Sequence, residues 1–111
     1  EWSDAKAEFV RRAGFSLMAC LAWHDKTLPD SVFKKFFPAI KKYSIDERNY
    51  VKKAINWALR QIGKRNKALN KEAIKVAKEI SKINSKAAKW IAADAIRELA
   101  SQAVQKRLHR E

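Results

Sequence analysis

The chain has 111 residues, with 25 Lys plus Arg against 12 Asp plus Glu, a formal net charge of +13 and a single cysteine. That length suits one domain, able to bury roughly two-thirds of its unfolded surface without disulfides or metals. No apolar run approaches the ~20 residues of a membrane span, no signal-peptide pattern is visible, and a lone Cys20 excludes an internal disulfide and fits a reducing compartment. A hydrophobic content of 47% is too high for a disordered basic tail, so the charge decorates a folded body. The expected partner of such a body is a polyanion, nucleic acid before an acidic membrane surface or acidic protein; a merely solvated lysine-rich surface is the plainer alternative. Because the chain opens at Glu1 rather than at a methionine, it is expected to be a piece of a longer protein.

With two glycines, two prolines and no strand-like alternation, the apolar spacing predicts helices over 4–23, 31–43, 47–65, 71–83, 86–99 and 102–109. Ser3 is expected to cap the first, whose "SLMACLAW" run suggests Cys20 as a small core residue. His24 stands at its end, where an imidazolium complements the helix dipole. In the second, capped by Asp30, Phe33, Phe36, Phe37 and Ile40 form an apolar stripe interrupted by Pro38, which should kink it. Asp46 is expected to cap the third helix. There Val51, Ile55, Ala58 and Ile62 share one face, while Lys53, Trp57, Arg60 and Lys64 form a second stripe nearly opposite. Lys52 and Arg65 lie off that stripe. Asn70, Ser85 and Ser101 are the expected caps of the last three helices, and Gly14 and Gly63 should permit close helix packing.

The sequence also repeats. Phe9-Val-Arg-Arg-Ala13 recurs as Tyr50-Val-Lys-Lys-Ala54, and Ala58-Leu-Arg60 as Ala95-Ile-Arg97. Two-helix periods near 40 residues are the signature of a HEAT-like α-solenoid, here of three helical pairs; an irregular helical bundle is the alternative. Shifted by the repeat, the basic stripe maps onto Arg12, Ser16, Ala19 and Trp23, and onto Trp90, Asp94, Arg97 and Ser101. Each pair thus offers an Arg and a Trp on the equivalent face, the face with which such folds bind. The cations would neutralise phosphates and release counterions, with the Trp57 ring open to stack on a base or sugar. The alternative for Trp57 is packing against the next repeat, and the simplest reading of Asp94 is an ion pair with Arg97. His24, His109 and one cysteine provide no metal-ligand spacing, and no cofactor or nucleotide fingerprint is present.

The segments "FVRRAGFSLMACLAWHDK", "YVKKAINWALRQIGKRN" and "AAKWIAADAIREL" resemble the DNA alkylation repair family of HEAT-like alkylpurine DNA glycosylases, in its C-terminal half. The resemblance implies a concave basic surface that grips duplex DNA carrying alkylated bases, and metal-free, cofactor-free hydrolysis of the glycosidic bond of N-alkylated purines. It implies a DNA contact for Arg12, a tryptophan pressing on the lesion-bearing nucleotide for Trp57 and a phosphate contact for Arg60, with Lys53 and Lys64 beside them and Trp23, Trp90 and Arg97 as further concave-face candidates. A cytoplasmic setting, at the nucleoid of a bacterium or archaeon, goes with it. The family's catalytic aspartate lies on a tryptophan-rich W-x-x-x-D segment of an earlier repeat that nothing here matches, so no catalytic residue is expected in this chain. A non-catalytic helical module binding nucleic acid or an acidic protein is the alternative. A repeat edge stripped of its upstream neighbour would expose apolar surface and favour self-association.

Overall fold

A computed structural model describes residues 2–109, with side chains from Lys6 onward. Seven helices account for its regular structure: α1 (Trp2–His24), α2 (Asp30–Lys34), α3 (Phe37–Tyr43), α4 (Asn49–Gly63), α5 (Lys67–Ser81), α6 (Lys86–Leu99) and α7 (Gln102–His109). The all-α expectation holds. The three helices equated by the sequence repeat, α1, α4 and α6, pack side by side in that order, while α5, with α3 beside it, forms a second layer against α6 and α4. Ile40, Ile55, Leu59, Ile62, Leu69, Ile80, Ile91 and Leu99 are fully buried between the layers. None of the described helices is long and apolar enough to cross a membrane.

Local chemistry explains most helix ends. Ser85 caps α6 by accepting from the Ala88 amide, and Ser101 accepts from Val104 at the start of α7. The expected cap at Ser3 lies outside the described side chains. Asn66, not Asn70, caps α5 through the Leu69 amide, so that helix starts four residues before the expected 71. Asn70 is drawn inside α5 and buried, where its amide donates to the Gly63 and Leu99 carbonyls and ties α5 to the ends of α4 and α6. Asp30 lies within α2 rather than capping it and accepts from Asn66. The kink expected from Pro38 is instead a break. Pro38 has no amide to offer the Lys34 carbonyl, the Phe36 amide turns back to Phe33, and a new helix begins at Phe37.

The two glycines differ. A Cβ at Gly63 would lie 2.7 Å from both Leu99 methyl carbons and 3.0 Å from Ala73 Cβ, so glycine there allows α4, α5 and α6 to converge. A Cβ at Gly14 would meet nothing within 4 Å, so the packing expected there is not made by the described residues. Gly14 lies instead on an open face of α1, with Val10 and Leu17 exposed, beside a groove of about 760 Å³ floored by Phe15, Met18 and Tyr43. Cys20 is half-buried at the margin of the core rather than inside it.

Two partly buried clusters, around Arg65 and Asp46, join the helices. The Arg65 guanidinium, just past α4, donates to the carbonyls of Ala22, Asp25 and Leu28 and lies 4.1 Å from the Phe33 ring centre. Asp46 does not cap α4 in the ordinary way. It accepts from the amide, Nε and Nη2 of Arg48 and from Arg11 of α1. The Arg48 hydrogen bond, more than offsetting burial, holds the Asp46 carboxyl at about 2, against 3.8 normally. With the folded-state value depressed, the stabilisation is complete above about pH 4 and is lost as pH falls toward 2. Asp46→Asn should therefore cost about 2 kcal/mol at neutral pH, and its deficit relative to wild type should vanish across that window in denaturant titrations. A deficit independent of pH would show that the carboxylate charge is not what stabilises this corner.

Candidate nucleic-acid interface

The basic stripe of α4 faces α6, and the α6 side chains decide its electrostatics. Arg60 is held on one side by Asn56, only 2% exposed, whose Oδ1 accepts from Arg60 Nε at 2.7 Å while its Nδ2 donates to the Ile91 carbonyl. On the other side Arg60 Nη1 lies 2.7 Å from Glu98 Oε1, with Asp94 Oδ2 3.8 Å from Nε. Lys64 Nζ takes the second Glu98 oxygen at 2.8 Å. Arg97 pairs with Asp94 at 2.5 Å, as the sequence suggested, and is 75% exposed. Burial pushes the Glu98 carboxyl up, but the bonds from Arg60 and Lys64 outweigh it and hold it below the ordinary glutamate value.

Three of the candidate residues therefore meet in one cluster: Arg60, Lys64 and Arg97. Lys53 is exposed higher on the same stripe, without an ion-pair partner among the described residues. Trp57, expected open to solvent, is half-buried and packs against the hydrophobic core. Trp23 is 55% exposed, stacks on His24 with ring centres 4.6 Å apart, and lines a polar cavity of about 510 Å³ with Lys26, Gln61, Lys64, Arg65 and Arg107. That cavity places Trp23 beside the Lys64 end of the stripe. Arg12 is separate: its guanidinium lies 5.3 Å from the Tyr50 ring centre. Trp90 is half-exposed beneath the Lys52 ammonium, 5.4 Å from its ring centre.

Sequence reading missed Glu98, Asn56, Tyr50 and Lys52 here. A shared offset could have found them. Arg12 to Tyr50, Lys52 to Trp90, Arg60 to Glu98 and Lys41 to Glu79 are all separated by 38 residues. Other contacts between these helices have different offsets, 35 residues for Arg11 to Asp46 and for Asn56 to the Ile91 carbonyl and 34 for Lys64 to Glu98, so the spacing is a recurring one rather than a fixed register. Chemically, the surface presents an aromatic edge amid cations, two of them neutralised by one glutamate that a phosphate would have to displace. Among the described residues no group of His, Cys, Asp or Glu could hold a metal ion.

A family model described as "DNA alkylation repair enzyme" matches residues 1–99, and so spans α1 through α6. The chain belongs to this family. The match stops short of α7, and it covers every residue of the α4–α6 cluster as well as Arg12 and Trp23. Membership makes DNA the partner to which the basic surface is to be related. No curated protein and no solved structure matches the chain significantly.

Proposed function

We propose that the chain is the DNA-binding C-terminal part of a base-excision glycosylase that releases N-alkylated purines, built as a HEAT-like stack. The observation that carries this reading is the family match over a surface where Lys53, Trp57, Arg60 and Lys64 share one stripe of α4 and Arg97 joins its Arg60 end through Asp94. Duplex phosphates would take Lys53 and Arg12 directly and would compete with Glu98 for Arg60 and Lys64. The half-buried Trp57 gives a rigid edge against which the lesion-bearing nucleotide can press. Glycosidic cleavage develops positive charge on the sugar, and a carboxylate close to it lowers that barrier. Asp94 is a poor candidate, because Arg97 and Arg60 already occupy its oxygens. The family resemblance instead implies a carboxylate on a Trp-rich segment of an earlier repeat, for which the open face of α1 around Val10, Gly14 and Leu17 offers a seat.

The deciding experiment is alkylpurine release from methylated duplex DNA. The gene product containing an upstream Trp-rich aspartate helix should release the base, and the 111-residue chain alone should bind the duplex without releasing it. If the full product carries no such carboxylate and releases nothing, the non-catalytic binding module replaces the enzyme reading. In the binding arm, Arg12→Ala should lower the magnitude of the log–log salt slope by about one unit. A slope insensitive to Arg12 would remove that residue from the contact surface.

A further inference from the structure

The stripe on α4 is balanced by α6 carboxylates, but a second row of cations has no such balance. Lys67, Lys71, Lys75 and Lys78 of α5, with Lys82 just after it, are all exposed. At about 100° per residue they fall within an arc of roughly 80°, in a straight row about 22 Å long. Leu69, Ala73, Val76, Ala77 and Ile80 occupy the opposite side of the helix in the core, so the row points straight outward. None of the five makes an ion pair among the described residues. The acids on the flank do little to change this. Glu79 pairs with Lys41 of α3 at 2.9 Å while also feeling the charges of Lys75 and Lys82, and Glu72, half-buried, lies beside the row, so two acids flank five cations.

Like charges one turn apart repel and weaken a helix, and here four such steps follow one another without a compensating acid in the row. An extended polyanion relieves that repulsion along the whole row, and each phosphate neutralised releases counterions. The row contains no aromatic side chain, so it can grip a backbone but cannot stack on bases. Its place in the fold matters equally. The row lies on the outward face of α5, whereas the α4 stripe adjoins α6 through Arg60 and Lys64.

We propose that the α5 lysine row is a second, base-independent contact surface for duplex DNA, so that one molecule held on a first duplex by its α4 face captures a second before releasing the first. The inference rests on the reading of the α4 face as DNA-binding. Its consequence is direct transfer between duplexes, a way to search for rare damaged bases without full dissociation.

The test is the rate at which the whole chain leaves a labelled duplex as unlabelled duplex is added in increasing concentration. The rate should rise with competitor for the wild type. With Lys67, Lys71, Lys75, Lys78 and Lys82 all changed to Gln, a good helix former, it should become independent of competitor while binding to the first duplex persists. The equivalent five-Arg variant should behave as the wild type, which separates charge from helix disruption. If the wild type binds no duplex at low salt, the underlying DNA reading fails. If it binds but the Gln variant shows the same competitor dependence, the α5 proposal fails alone. Loss of binding to anionic vesicles in the Gln variant, with transfer between duplexes unaltered, would reassign the row to a lipid surface and overturn the proposal.

Discussion

Arg65→Ala is expected to lower the unfolding free energy by about 3 kcal/mol, a large fraction of the stability of a domain of this size. The side chain comes from the α4–α5 junction and reaches the last turn of α1, where helix geometry leaves carbonyls without partners. It donates to Ala22 and Asp25 through Nη1 and to Leu28 through Nη2, and its face covers the Phe33 ring. One planar fork thus closes the end of α1, fixes the loop that follows and clamps α2 beneath it. Truncation orphans three carbonyls at once and opens the ring to water. Lysine cannot replace the fork, since a single ammonium has neither the planar spread nor the rigid geometry to serve all three oxygens. Arg65→Lys should therefore recover less than half of the loss. Chemical denaturation reads both variants, and an Arg65→Ala midpoint within error of wild type would show that the fork is incidental to the fold.

Arg65 also marks the limit of what the helical period could reveal. The wheel placed it off the α4 stripe, which is correct, but a wheel only assigns a direction and does not name what waits there. Residues whose partners are local were legible. Ser85 caps α6 because its oxygen needs only the Ala88 amide three residues on, and Gly63 was placed at a close helix contact that Leu99 and Ala73 then supplied. Asn70 was misjudged because a cap-type amide can equally serve two helix C-termini from inside a helix, and Asn66, an equally good cap, lay four residues upstream. Trp57 follows the same logic. Its angle on the helix places it among cations, yet α4 touches α1, α5 and α6, so little of its surface remains fully open. The quoted segments made the family visible, and a 38-residue offset links several contacting pairs, Arg60 and Glu98 among them. Glu98 was overlooked because its partners Arg60 and Lys64 lie on another helix, whereas Arg97 lies one turn from Asp94 on the same helix and needs no knowledge of packing.

That oversight has the largest functional consequence, because Glu98 sets how much of the α4 stripe is free to meet phosphate. Glu98→Gln should tighten duplex binding about tenfold near 0.1 M salt and steepen the log–log salt slope by one to about two units. The carboxylate holds Arg60 Nη1 at 2.7 Å and Lys64 Nζ at 2.8 Å, so any phosphate must first break two charge-assisted bonds. A neutral amide of the same shape can still accept from Arg60 but no longer cancels either charge, and its NH₂ faces Lys64 unfavourably. Asn56 continues to hold Arg60 Nε, so the guanidinium stays oriented toward the stripe rather than collapsing onto α6. Stability should fall, since Arg60 and Lys64 are only 28% and 17% exposed and lose their shared carboxylate. The gain must depend on those cations: adding Arg60→Ala to Glu98→Gln should abolish most of it, giving a coupling in the double-mutant cycle larger than either control at Arg12. Unchanged affinity in Glu98→Gln would mean that phosphate never competes for Arg60 and Lys64, and the first contact surface would then retreat to Lys53 and Arg12. Weaker binding would mean that the glutamate positions the cations rather than masking them, as a bridge that holds α4 and α6 in the register the duplex requires.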